Sequence, residues 1–438
     1  MVSGRQDQYC PCVNLAETSP RSAARKALWR RAGLCLAVAA VVFTSSCSSD
    51  SPVRHSSKTP AASRSSTAAA DPAATTQVEH WGTFFGAARG VNYDTSAVPV
   101  AVTLPGPVAE IGTSNSDDYA LLTNGRLYAW GLGTVGELGD GGESNSFTTP
   151  VLVRFPPGVK IASIPGDAMP YDTALAVDTT GHVWGWGKNT GGELCLGNTR
   201  TYLKPARLPL SKVTTLAGAS HHVLYDAGGT VYACGQNLEG SLGDGSMRNS
   251  TRPVRVAGLH GAAVTELVAS FANSGALLSN GKYLDWGYNA QGQLGAGRHG
   301  PPSDVPEPVD LPGPVTKIAQ GGSIWNNGQT LAMLSDGELW SWGADSAYQL
   351  GNETRGIEPS PVRFYPPTGV TYQSLATGSA TSYAVSTTGQ VYAWGVSFVG
   401  QVGNGLMVTA KTPVLVAIGA TAISATANNV LIYVPASL

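Results

Sequence analysis

WGYNAQGQLGAG, residues 286–297, places four glycines in twelve residues with polar amides between them. The spacing suits a loop that cradles a phosphate, and suits a tight reversal of the chain equally well. Its copies decide between the two. Aligned on Trp-Gly, related stretches begin at Trp81 (WGTFFGAARG), Trp130 (WGLGTVGELGDG), Trp186 (WGKNTGGELCLG), Cys234 (CGQNLEGSLGDG), Trp342 (WGADSAYQLGNE) and Trp394 (WGVSFVGQVGNG). The intervals are 49, 56, 48, 52, 56 and 52 residues. Self-similarity near fifty residues, with strand-like content, marks a propeller or array. Seven related loops cannot all be nucleotide sites, so the glycines are read as turn chemistry.

The rest of each unit repeats too. A Pro-initiated strand occurs at Pro99, Pro150, Pro205, Pro253, Pro308, Pro361 and Pro413. Proline cannot donate to a ladder, which places it on an outer, edge strand. A β-rich segment follows, then a loop and an apolar pair. Next comes a tight turn such as TNG, SNG or SDG, and then a strand such as RLYAWG or ELWSWG. These turns are hairpin signals. Each unit is therefore four antiparallel strands, one blade, and the chain is predicted to be all-β, a seven-bladed β-propeller. VEHWG, residues 78–82, is a last strand without its predecessors, while PVLV, TAISA and VLIYV near the C-terminus lack a Trp-Gly strand after them. An N-terminal strand completing the last blade would close the ring and remove its free edges.

WGxNxxGQLGxG at this spacing resembles the regulator of chromosome condensation repeat, over residues 78–434. Six copies are clear and one is degenerate. Many members carry a His in the loop before the apolar pair. Here His221 is matched to that place and given its structural role; Asp117, Tyr171, Asn273, Gln329, Thr381 and Asn428 are matched in the other copies. That departure implies a diverged bacterial, exported branch, and weakens transfer of the eukaryotic branch's guanine-nucleotide exchange.

Local decoys fail on context. GLGTVG, residues 131–136, fits a dinucleotide fingerprint, but ELGDGGESNSF follows it where a helix N-terminus is needed. WGKNTG lacks the Gly-Lys-Ser/Thr of a P-loop, and LGDG lacks the alternating carboxylates of a calcium loop. No GxSxG, metal cluster or catalytic carboxylate pair is found; Asp117 and Asp118 are read as solvated loop charges. No cofactor and no catalysis are expected.

At the N-terminus, Arg21, Arg25, Lys26, Arg30 and Arg31 precede twelve apolar residues, 32–43. That is a signal-peptide core, too short for a span of ~20 residues. TSSC follows, ending at Cys47, and resembles a lipobox, although Thr44 stands where Leu is usual. Residues 1–47 are thus a signal peptide with Cys47 as lipidation site, simple secretion being the alternative. The long lead before Arg21 would be explained by a misassigned start codon. Residues 48–77, rich in Ser, Thr, Ala and Pro, read as a disordered tether. Beyond Cys47 the chain has 21 basic and 27 acidic residues, a net of −6 that offers no footprint for nucleic acid. Cys195 and Cys234 each replace a Gly or Trp of the repeat, and are read as separate substitutions in preference to a pair.

The loop between the second and third strands (the Pro strand counted first) and the loop after Trp-Gly share one end of each blade. This face varies and carries Tyr171, His222, Phe271 and Trp325, with Lys188, Tyr288, Tyr348 and Phe398 beside them. Aromatic side chains on exposed loops suit interface anchors, Trp325 foremost. The expected function is a monomeric, extracytoplasmic binding scaffold, held to the membrane through Cys47 and recognising a protein or an envelope glycan. An exported β-lactamase inhibitor has the same propeller type, so resemblance allows an inhibitor. Nucleotide exchange is disfavoured because repeats of 48–56 residues leave little room for a wedge. A glycan hydrolase is disfavoured by the missing carboxylate pair.

Overall fold

The computed structural model describes residues 75–86, 91–166, 169, 171–219, 221–322 and 328–435. Its strands form seven four-stranded antiparallel sheets, the predicted seven-bladed ring. The signal segment, Cys47, most of the tether and Trp325 lie outside the described residues.

Blade 1 shows the pattern. Val108–Thr113 is innermost, followed outward by Asp117–Leu122, Leu127–Gly131 and Ser146–Leu152. Gly125 closes the hairpin at φ 80°, a conformation that side chains with a Cβ resist. In chain order the innermost strands of blades 2 to 7 are Ile161–Ser163, Val213–Gly218, Val264–Ala269, Val315–Gly321, Tyr372–Thr377 and Ala422–Thr426.

The proline strand ends a blade and does not begin one. Ser146–Leu152, with Pro150, pairs back onto the Trp-Gly strand before it, and Ala410–Ala417, with Pro413, does the same in blade 6. Except for Pro308, which pairs with Leu284, these prolines fall where the ladder is interrupted: Pro361 lies between Glu358 and Val362, which pair with Gly343 and Ser341 across a bulge. Closure is corrected accordingly. Blade 7 takes Ala422–Thr426 and Asn429–Tyr433 from the C-terminal end, and two N-terminal strands where one was expected, Thr75–Gly86 and Val91–Leu104. The first starts at Thr75, ahead of the expected boundary at 78, because the backbone of Gln77 accepts from Val434 N at 2.7 Å whatever its side chain.

The core is a set of layers between blades. In one layer Tyr119, Leu127 and Leu138 of blade 1 meet Ile161, Ala176 and Trp186 of blade 2. Tryptophan ties the layers together. The indole N–H of Trp186 donates to the Glu137 carbonyl of the preceding blade at 2.7 Å. Trp286, Trp342, Trp394 and Trp81 donate likewise to Ser241, Gln293, Gln349 and Gln401. Under each indole sits a glycine, respectively Gly139, Gly243, Gly295, Gly351 and Gly403, where a Cβ would fall 2.6–3.0 Å from the indole nitrogen.

The boundary between blades 2 and 3 breaks this rule twice over. Cys234 stands in the tryptophan position and Cys195 in the glycine position, at φ 57°. The two form a disulfide, with Cα atoms 5.6 Å apart. The reading of two separate substitutions is therefore corrected: the positions touch in every other layer of this kind, so changing both to Cys makes one covalent staple. At the remaining boundary, where the ring closes, His80 of blade 7 pairs with Asp118 of blade 1 at 2.8 Å, and Asn429 donates to the other Asp118 oxygen at 2.7 Å.

Candidate functional site

The polar residues of the glycine-rich loops are consumed in building them. In residues 286–297, Asn289 accepts from Leu294 N and donates to Arg298 O, while Gln293 accepts from Gln291 N. Glu137, Glu193, Gln349 and Gln401 accept from their own turns in the same way. These loops are turns, as expected.

The two loop sets expected to share one face do so. In each blade the residue after Trp-Gly donates its N–H to the loop that precedes the second strand: Leu132 to Ser116, Lys188 to Asp172, Tyr288 to Ala272, Val396 to Ala380. The two loop sets therefore lie side by side at one end of the ring.

The named residues fare differently on it. Phe398 is 72% exposed. Phe271 and Tyr288 are half-buried, and the His221 ring meets Phe271 edge-on at 5.9 Å. Tyr348 occupies a glycine position of the repeat at φ 65°, its ring between Arg355 at 5.5 Å and Lys411 at 5.4 Å; such paired cations stabilise an otherwise strained residue. Lys188 is held by Asp172 at 2.9 Å. Two expectations of exposure are corrected. His222 is buried, its Nε2 2.7 Å from Ser274 Oγ, because the next blade covers that face of its strand. Tyr171 is buried, and before it Ile164 N donates to Glu110 while Ser424 of blade 7 donates to Gly166 O.

Strand register also corrects the matching of the loop histidine. His222 pairs with Gly235 as Asp117 pairs with Gly131, Thr173 with Gly187 and Asn429 with Gly82. His222, Thr173 and Asn429 thus share the position assigned to His221, Tyr171 and Asn428. Nor are Asp117 and Asp118 solvated, for both are fully buried. Burial, together with Glu137 and Asp172, pushes the Asp117 carboxyl well above the usual range. The Ser116 hydroxyl donates to Asp117 at 2.6 Å and lies 3.5 Å from Asp172, so a strip of linked polar groups runs from Asp117 through Asp172 to Lys188. Sequence reasoning missed this strip. Among the described residues no three of His, Cys, Asp and Glu are grouped to hold a metal.

Among the described residues, blade 6 places four exposed large apolar side chains on this face. The chain from its Trp-Gly strand to its outer strand exposes Phe398, Leu406, Met407 and Val408, the last three at 57, 57 and 63%. Residues 359–438 include no Asp or Glu.

This architecture has relatives. The regulator of chromosome condensation (RCC1) repeat matches residues 124–165, 180–225, 228–272 and 336–385. Over 296 residues the chain is 30% identical to the ultraviolet-B receptor UVR8 of Arabidopsis thaliana, across 66% of this chain. The chain belongs to the RCC1-repeat β-propeller family. This RCC1-repeat propeller spans 65% of the length of UVR8. Its fold is shared with human WBSCR16, at a TM-score of 0.71 and 17% identity over 82% of this chain and 99% of that one. It is shared also with Prp20p of Saccharomyces cerevisiae, at 0.68 and 22% over 82% and 92%. RCC1-repeat propellers are protein-binding scaffolds, most of them non-enzymatic regulators.

Proposed function

We propose that this propeller is a non-enzymatic, extracytoplasmic binding scaffold, a lipoprotein anchored through Cys47 that recognises a protein through its loop face. The observation that carries the reading is the exposure of four large apolar side chains, Phe398, Leu406, Met407 and Val408, in one connection of blade 6 on that face. Monomeric proteins rarely leave adjoining large apolar side chains in water without a partner to cover them. The stretch that carries these side chains, residues 359–438, has no Asp or Glu of its own to desolvate. A protein suits it better than an envelope glycan, whose hydroxyls would find few partners there.

Export is supported by the basic and apolar segment before Cys47 and by the Cys195–Cys234 disulfide, since such bonds persist in oxidising compartments. Inhibition of an exported enzyme is one form this recognition can take. Prp20p has been studied for binding to Gsp1p and histones; a net of −6 beyond Cys47 does not favour a nucleic-acid partner for this chain.

Two results test the reading. A cross-linked pull-down from intact envelopes should recover one protein with the native chain and lose it with Phe398→Ala/Val408→Ser, both chains melting alike. Equal recovery would place recognition elsewhere. In fractionated cells, Cys47→Ser should move the protein from the membrane pellet to the soluble fraction; an unchanged distribution would rule out the anchor.

A further inference from the structure

The ring axis holds a cavity of about 370 Å³ lined by the innermost strands of blades 2 to 6, including Thr214, Thr215, Glu266, Ile318 and Gln320. At the loop end, Met169, Tyr171 and Phe271 leave only about 20 Å³. Glu266 lies toward the opposite, hairpin-turn end. Strand register gives its equivalents as Glu110, Ser163, Thr215, Lys317, Ser374 and Ala422. Glu110 is occupied, accepting from Ile164 N at 2.9 Å. Glu266 has no hydrogen-bond or ion-pair partner among the described residues, and burial pushes its carboxyl up to about 7, against the pull of Lys317 on the next blade.

Beside Glu266, blade 4 abandons the apolar pattern of the other blades. Gly275 stands where Tyr119, Leu175, Leu224, Leu331, Tyr383 and Leu431 stand elsewhere, and Tyr283 fills the space so opened. Asp285, fully buried, stands where blades 1, 2, 3, 5 and 6 have the small residues Ala129, Gly185, Ala233, Ser341 and Ala393 and blade 7 has His80. Gln320 replaces Thr113, Gly218, Ala269, Thr377 and Ala425; its Nε2 donates to both Asp285 oxygens at 3.0 Å and to the Tyr283 oxygen at 3.3 Å. Its Oε1 is buried and accepts no hydrogen bond. A buried carboxyl costs stability, and no other blade places one at the position of Asp285. Local rules broken together in one sector point to function there.

The cavity offers a carboxylate, threonine hydroxyls and the axis-facing edges of innermost strands that pair on one side only. We propose that this cavity binds a small organic cation, a primary ammonium or guanidinium compound, with Glu266 as its counter-ion.

The test is calorimetric titration of the full chain at pH 8 with agmatine, and with 1,4-butanediol as a neutral probe of similar length. Agmatine should saturate a single site, the diol should not bind, and Glu266→Gln should weaken agmatine by about thirtyfold or more, the loss typical of removing one partner of a buried charge pair. Glu110→Gln, whose carboxylate is already engaged, should leave binding unchanged. The proposal is overturned if agmatine shows no saturable binding, if the diol binds as tightly, if Glu266→Gln binds like the native chain, or if Glu110→Gln loses as much. Thermal melts of each variant separate loss of the site from loss of the fold.

Discussion

Cys195→Ser is expected to lower the unfolding free energy by about 4 kcal/mol, the loop-closure value for a staple across roughly forty residues. The native chain in dithiothreitol should fall by a similar amount, and the serine variant should be indifferent to reductant. The repeat supplies a sharper version. Cys195→Gly with Cys234→Trp restores the pair that ties five other layers, an indole over a glycine with its N–H on the preceding carbonyl. Here that carbonyl belongs to Glu193, which Cys195 Sγ approaches at 3.7 Å. The double variant should recover most of the lost stability in guanidinium titrations and lose all sensitivity to reductant. Recovery no better than Cys195→Ser would mean that the layer between blades 2 and 3 is built on other contacts.

The second large effect is a dependence on pH. Glu193 is buried beneath its own turn, and burial lifts its carboxyl from 4.5 to about 7 despite the backbone N–H groups and Lys188 that favour its charge. The folded chain thus holds a proton that the unfolded chain releases. The resulting stability is fully present below pH 4.5 and is lost as pH rises through 7, by up to ~3 kcal/mol. Gln293, Gln349 and Gln401 accept from the same turn position without titrating, so Glu193→Gln should match the native chain near pH 4.5 and exceed it by up to that amount at pH 8. Glu137, raised for the same reason, should act in the same direction. Burial holds His221 near 4 and His222 near 3, below the usual 6.5, and these cost stability as pH falls below 6.5. The native-minus-variant difference isolates the glutamate from that opposing slope. A difference that stays flat between pH 4.5 and 8 would contradict the assignment.

Blades were legible in the sequence because their signals are local: a hairpin glycine, an alternating strand and a Trp-Gly pair all sit within a few residues of one another. Which neighbour a strand pairs with is not local. Pro413 announces an edge strand, yet nothing near it says that the strand closes the blade before it, and this cost the closure one N-terminal strand. The Cys195–Cys234 pair was hidden for a related reason, since the contact between a tryptophan and the glycine of the preceding repeat is visible only once the blades are stacked. Alternation likewise gave the direction of His222 without showing that the next blade covers it, and the charges of Asp117 and Asp118 suggested solvent where His80, Asn429, Ser114 and Ser116 surround them. Phe398 was read correctly as exposed, because it sits mid-loop between two turn glycines with nothing in the repeat to fold over it.

Recognition through the loop face is the claim on which the functional account stands. It is tested most directly by placing a photo-crosslinking side chain either at Phe398, on that face, or at Asp336, in a hairpin turn at the opposite end, and irradiating intact cells. The account predicts a discrete adduct from position 398 and none from position 336. Adducts from 336 alone, or the same adducts from both, would contradict it.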